Sequence, residues 1–283
     1  MLSKRRGQSK TVIQESVQEA MEILDSLEST DVAVELIKTL RSITEGKIFA
    51  ELESAELTKR LAAIYERTGE IKSAAKVLQE VQVETLSKME TKEKVNYILE
   101  QVRLCLASND YIRAHILSRK INQNLLLKDE FQQEKLTYHS LMIQYYQKHK
   151  KYAEIARAYQ AIFNTQKVQN DEMEWRLNLK LLCIYSVLSP YSLEQSDLIN
   201  RTNTLKKLEE LPQYKALLKH FLTQELMRWP TIREGYKQEL ESFDEFNGES
   251  GEILWEVFQL RVIEHVSMIK NNSIIYLFIN LFI

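Results

Sequence analysis

Gly69-Glu70-Ile71-Lys72-Ser73-Ala74-Ala75 recurs in altered form as Asn109-Asp110-Tyr111-Ile112-Arg113-Ala114-His115, as Lys150-Lys151-Tyr152-Ala153-Glu154-Ile155-Ala156, and as Ser189-Pro190-Tyr191-Ser192. Aligned on Ile71, Tyr111, Tyr152 and Tyr191, the copies are 40, 41 and 39 residues apart. Each copy separates two stretches of helical hydrophobic periodicity. A fixed period of this size marks stacked helix pairs, because one pair cannot bury its apolar face alone and its neighbour covers it. The expected fold is all-α: an α-solenoid of helix-pair repeats, TPR/HEAT-like, with a period of about 40. The large residue opening each return helix (Ile71, Tyr111, Tyr152, Tyr191) is expected to plug the gap at the helix-pair turn. Repeat arrays of this kind present surfaces to other proteins, which tilts the function toward scaffold.

Outward from these turns, the apolar residues keep helical steps. Ile13, Val17, Ala20, Leu24 and Leu27 form one stripe. Ser29-Thr30-Asp31 offers capping chemistry for a new start, Val32, Leu36, Leu40 and Ile43 continue on one face, and Gly46 is a plausible stop. Residues 1–46 therefore read as N-terminal helices and 47–243 as the helical-repeat solenoid. In the first repeat Leu57, Leu61, Ile64 and Tyr65 face Ala74, Ala75, Leu78 and Val81. Polar stretches at 123–134 and 164–171 read as loops between repeats. After Pro190 the pattern loosens, with Pro212 at a boundary. Asp244 to Gly251 is the best linker, 252–270 a last helix, and 271–283 an atypical apolar tail.

Composition supports this reading. Six glycines and three prolines in 283 residues are too few for an all-β chain, which needs many turns. A hydrophobic fraction of 44% is enough for a core. The net charge of −2 gives no global drive toward nucleic acid or anionic membrane. Lys4-Arg5-Arg6 is followed by no apolar run, unlike a secretory signal. The dense apolar run Ile274–Ile283 is about half the ~20 residues that span a bilayer.

The chemistry-bearing residues form no catalytic, cofactor or metal constellation. The glycines are scattered, so no phosphate loop arises, and there is no Cys-x-x-Cys pair. His115, His139, His149, His220 and His265 stand too far apart for a local helical metal site. Cys105 and Cys183 sit within apolar helical patterns and are expected to pack as small hydrophobes in a reducing compartment. Glu209-Glu210 and Glu51/Glu53 resemble acid pairs but lack signature neighbours, and the many charges read as a solvated helix face. Arg119-Lys120, Lys148-His149-Lys150-Lys151 and Lys206-Lys207 are basic, and Tyr145, Tyr146 and Tyr152 flank the second cluster. Basic patches with aromatics can hold single-stranded RNA, so an RNA-binding repeat protein is one alternative.

Longer runs carry a resemblance. Gly46-Lys47-Ile48-Phe49, Leu78 to Thr85, Ile98 to Ala107, Glu194 to Leu198, Lys207 to Pro212 and Glu225 to Trp229 resemble the PCI-domain subunits of the 26S proteasome regulatory-particle lid, in the regulatory subunit 12 family. The similarity runs from about residue 2 to about 266. It implies a non-catalytic PCI-type arm that leads into a winged helix and serves ubiquitin-dependent protein degradation. Implied partners are the other lid subunits, with contacts to the core particle, the ATPase ring and the deubiquitinase module. No small-molecule substrate, cofactor or membrane is implied, nucleic acid is not an expected partner, and the expected location is cytoplasmic and nuclear. COP9 signalosome and other PCI scaffolds share the architecture. By this resemblance Met1 falls inside the solenoid, and Arg261-Val262-Ile263-Glu264-His265 approaches a winged helix that does not follow. The expectation is a fragment lacking both ends of the family pattern.

Overall fold

A computed structural model describes residues 10–25, 29–223 and 226–269; among these there is no strand. Lys4-Arg5-Arg6, Leu27 and the apolar tail 271–283 lie outside the described residues. The helices are α1 (Lys10–Asp25), α2 (Thr30–Thr44), α3 (Glu51–Arg67), α4 (Ile71–Gln79), α5 (Thr91–Ala107), α6 (Tyr111–Ser118) and α7 (Gln132–Lys148). They continue as α8 (Tyr152–Phe163), α9 (Gln166–Gln169), α10 (Glu172–Leu188), α11 (Leu193–Asn203), α12 (Pro212–Leu222), α13 (Trp229–Leu240) and α14 (Gly248–Ile269). The all-α helical-repeat architecture expected from the sequence is the one observed.

Local chemistry sets the helix ends. Two residues before α4, α6 and α8 stand Gly69, Asn109 and Lys150, all left-handed at φ 83°, 62° and 53°. In each turn the next amide reaches back five residues: Glu70 N to Tyr65 O at 2.8 Å, Asp110 N to Cys105 O at 2.8 Å, and Lys151 N to Tyr146 O at 2.9 Å. This bond closes a Schellman motif and satisfies a carbonyl the ending helix would otherwise orphan. In the fourth copy Pro190 occupies the donor's place and has no N–H. Ser189 is extended there, at φ −66° and ψ 140°, and the chain runs on to Ser192, whose hydroxyl caps α11 by accepting from Gln195 N at 3.0 Å. Asp171 caps α10 with two amides, and Pro212 opens α12 where its missing N–H costs nothing.

The chain forms two compact units, Met1–Leu141 and Met142–Ile283, which divide within α7. In the first, α2 packs on α3, α3 on α4, α4 on α5 and α5 on α6. Val17, Leu24, Ala33, Ile37, Leu40, Leu57, Leu61 and Ile64 make one buried cluster there. Helix α2 is rotated from the expected register: Ala33, Ile37, Leu40 and Thr44 are buried, whereas Val32 is 52% exposed. The two stripes share Leu40, and only the packing against α3 chooses between them.

In the second unit α10 packs on α8, α11, α12 and α14. Leu181 through Ser189 are all buried, so the C-terminal half of α10 is enclosed on every side, as a central helix segment must be. Leu177, although at helical spacing from buried Leu181, Ile184 and Val187, is 45% exposed. The expected linker 244–251 is instead a 3₁₀ turn, Asp244–Phe246, followed by the first turn of α14. Phe246 anchors it: its ring lies 5.8 Å from Trp255, which packs with Trp229 and Phe258 at 6.1 and 6.0 Å. Gly251 permits the approach, because a Cβ there would lie 2.0 Å from Phe246 O. The loop-like composition therefore covers a buried aromatic anchor. Residues 123–134 and 164–171 likewise hold short helical turns, including α9, with Phe131, Thr165 and Val168 buried.

Candidate interaction surface

The aligned turn residues divide. Ile71, Tyr111 and Tyr152 are each the first residue of a return helix. Tyr152 is buried, its ring 6.4 Å from that of Tyr185, which also stacks on Tyr159 at 5.6 Å. Ile71 and Tyr111 are half-buried, and the Tyr111 hydroxyl donates to Asn109 Oδ1 at 2.8 Å. Tyr191 does not plug its turn: it precedes α11 by two residues and is 57% exposed, because the Pro190 turn delays the helix start.

Charges that read as a solvated face are in part clamps between successive repeats. Arg103 grips Glu66 with two bonds of 2.7 Å, 37 residues away, and also holds Glu100. The Arg103 guanidinium beside Glu66 holds that carboxyl below its usual range. At similar spacing Arg41 meets Glu80, Lys120 meets Glu84 at 2.6 Å, and Asn96 donates to Glu134 at 3.3 Å. In the second unit Arg157 meets Glu194, and Arg176 meets Glu210 at 2.6 Å. Lys207 donates to Gln169 O at 2.9 Å while its ammonium lies 4.7 Å from the Trp175 ring. Buried Gln101 donates to Leu78 O at 2.8 Å and Val81 O at 3.1 Å, satisfying the end of α4. Sequence periodicity missed these contacts; for the ion pairs among them the signal is opposite charges about one repeat apart.

Of the acidic residues singled out in the sequence, Glu53, Glu209 and Glu210 are drawn into contacts within the fold. Glu210 is held by Arg176 and Glu209 by Lys215, while Glu53 Oε1 accepts from Gln14 and Gln18, both at 3.3 Å. Burial pushes the Cys105 thiol up to about 11 and Cys183 higher still, so neither is a ready nucleophile. Burial and the Lys135 ammonium push His139 down to about 4. Among the described residues no group of three or more His, Cys, Asp or Glu is placed to hold a metal ion, and no helix is long and apolar enough to cross a membrane. A polar cleft of about 550 Å³ in the first unit is lined by Lys38, Arg41 and Lys47 but equally by Glu45, Glu51 and Glu80, so it has no charge preference.

What remains exposed is a surface suited to contacts. Ile112 and Ile116 project from one face of α6, 76% and 56% exposed, and Met173 and Leu177 share a face of α10. On α14, Ile253, Leu260 and Met268 are exposed along one stripe. Lys148, His149, Lys150 and Lys151 are exposed in the turn before α8, with Tyr145 and Tyr152 both buried beneath it.

Comparison with known proteins gives this surface a context. The family model for PSMD12/CSN4, N-terminal, matches residues 1–171. The chain is 45% identical over 265 residues to the 26S proteasome non-ATPase regulatory subunit 12 of Dictyostelium discoideum, covering 94% of this chain and 59% of that protein. It is 40% identical over 288 residues to homolog A of the same subunit in Arabidopsis thaliana, covering 93% and 65% respectively. COP9 signalosome complex subunit 4 of Drosophila melanogaster is 28% identical over 193 residues, 67% of this chain and 46% of that protein. The chain thus spans about three-fifths of the length of the subunit 12 relatives it matches. With residues 1–171 inside the family model and helix pairs throughout the described chain, this protein belongs to the PSMD12/CSN4 family.

Proposed function

We propose that this chain is a non-catalytic scaffold subunit of the 26S proteasome regulatory-particle lid, supporting lid assembly and ubiquitin-dependent protein degradation through protein–protein contacts. The observation that carries this reading is identity of 40–45% to proteasome regulatory subunits across 93–94% of the chain. The helix-pair architecture agrees with it, since such repeats offer extended surfaces for partners and no enclosed reaction site. The partners are other lid subunits, with contacts to the core particle, the ATPase ring and the deubiquitinase module, and the location is cytoplasmic and nuclear. A second reading, a PCI scaffold of the COP9 signalosome, draws on the 28% identity to its subunit 4.

An RNA-binding role draws less support, because two of the three tyrosines flanking the basic turn, Tyr145 and Tyr152, are buried. The test is affinity purification of the tagged chain from cells, followed by identification of stoichiometric partners. Recovery of lid subunits at near-unit stoichiometry is the expected result. Signalosome subunits in their place would establish the second reading, and neither set would overturn both.

A further inference from the structure

The turn before α8 departs from the two turns it repeats. Where those carry Gly69-Glu70 and Asn109-Asp110, this one carries Lys150-Lys151, preceded by Lys148 and His149. Asp110 caps its helix by accepting from Arg113 N at 3.1 Å; Lys151 has no acceptor to offer, and α8 starts without a side-chain cap. Lysine in the left-handed region is also a costly choice where glycine or asparagine serves elsewhere.

Among the described residues no carboxylate forms an ion pair with Lys148, Lys150 or Lys151, and all three are exposed. Neighbouring acids are already engaged: Glu154 pairs with Arg157 at 2.9 Å, and Glu194 pairs with the same guanidinium. The other basic clusters differ, since Lys120 and Lys207 are each committed one repeat away. Among the described residues this turn therefore carries three exposed lysines in four positions, none in an ion pair with a carboxylate, in a chain of net charge −2.

We propose that Lys148, Lys150 and Lys151 form a docking point for an acidic segment of a protein partner. Charge complementarity identifies the partner class, and three ammoniums within one turn match a short run of Asp or Glu side chains. Single-stranded RNA is disfavoured because binding it draws on stacking faces, and two of the three flanking tyrosines, Tyr145 and Tyr152, are each 8% exposed, with Tyr146 half-buried. The inference goes beyond the scaffold reading, since it holds whichever complex the chain joins.

The probes are a labelled ten-residue peptide rich in Asp and Glu and an oligouridylate of equal charge, each titrated into the full chain at about 0.05 and about 0.3 M salt. The peptide is expected to bind, more weakly at the higher salt. The variant Lys148→Glu/Lys150→Glu/Lys151→Glu is expected to weaken it about tenfold. Arg119→Glu/Lys206→Glu, which changes the charge by four units elsewhere against six here, should shift it less than about twofold. Lys150→Gly/Lys151→Asp restores the residue types of the other turns and guards against misfolding; it should keep the circular dichroism of the parent and still lose binding. The proposal is overturned by a peptide that does not bind, by equal binding in the folded turn variants, or by tighter RNA binding that the same substitutions abolish.

Discussion

The stretch from α3 to α8 and the stretch from Pro190 to the end of α14 are both helical, yet they are held together differently. In the first, each of three turns carries a left-handed residue and a backbone bond reaching back five residues, and charged side chains clamp one repeat to the next. In the second, Pro190 removes that bond, and an aromatic group, Trp229, Trp255, Phe258 and Phe246, gathers α13, the 3₁₀ turn and α14. Repetition keeps helix pairs in register through the backbone; where repetition stops, bulky side chains take over. The first stretch should therefore yield to changes at single turns, and the second to loss of a single ring.

Phe258 tests the second half of that statement most severely. It is 2% exposed, and its ring meets Trp229 edge-on at 5.5 Å and Trp255 stacked at 6.0 Å. Phe258→Ala removes a fully buried ring and leaves a cavity, which costs ~3–5 kcal/mol. Thermal unfolding should show a large drop in midpoint, and hydrogen exchange should show the loss of protection centred on α13 and α14. A loss spread evenly over α3 to α6 would mean that the aromatic group does not act locally.

The period, the three turn positions and most of the core were legible because each rests on neighbours in sequence. Gly69 signals a left-handed stop by itself, and Val95, Ile98, Leu99 and Val102 lie on one helical face by spacing alone. What escaped depends on distant residues. Val32 and Ala33 lie on adjacent faces of α2, and the strongly apolar valine draws the eye although α3 covers the alanine. Asp244 to Gly251 has the composition of a linker, yet Phe246 finds Trp255 only after the chain turns. Tyr191 fits the period, while Pro190 beside it already excludes the repeat's turn. The Arg103–Glu66 clamp could be sought only once the repeat register was known. For the candidate surface, the basic turn was legible in the sequence but the burial of Tyr145 and Tyr152 was not.

Single-residue changes at the turns sharpen the comparison at intermediate size. Gly69 has φ 83° with open space around it, so Gly69→Ala meets no clash and pays only for the left-handed backbone. That costs ~1–2 kcal/mol. Lys150→Gly reverses the sign, relieving a lysine held at φ 53°, and should stabilise by up to about 1 kcal/mol. Urea midpoints measure both. If Gly69→Ala were neutral, the left-handed residue would not be what closes the turn.

The smallest effect separates the two stretches by pH. Glu66, bonded by Arg103, has its carboxyl held below the usual range, whereas burial raises Glu245, against a weaker opposing bond from Gln147. The signs of the linkage are opposite. The contribution of Glu66 is complete above the unfolded carboxyl value of ~4.3 and is lost as pH falls through the lower folded value. The contribution of Glu245 is present below ~4.3 and is lost as pH rises through the higher folded value, so at pH 7 its charged form is a local cost. Glu66→Gln should therefore lower stability at pH 7 by no more than about 1 kcal/mol, since solvent screens a partly exposed pair. Glu245→Gln should raise it by a similar or smaller amount, because the amide can still accept from Gln147 without carrying charge. Near pH 4 the Glu245 difference should have shrunk toward zero, whereas the Glu66 difference should persist in part and vanish only at lower pH. Urea midpoints of the two variants at the two pH values decide the matter, and shifts of the same sign at pH 7 would show that the polar contacts of the two stretches are of one kind.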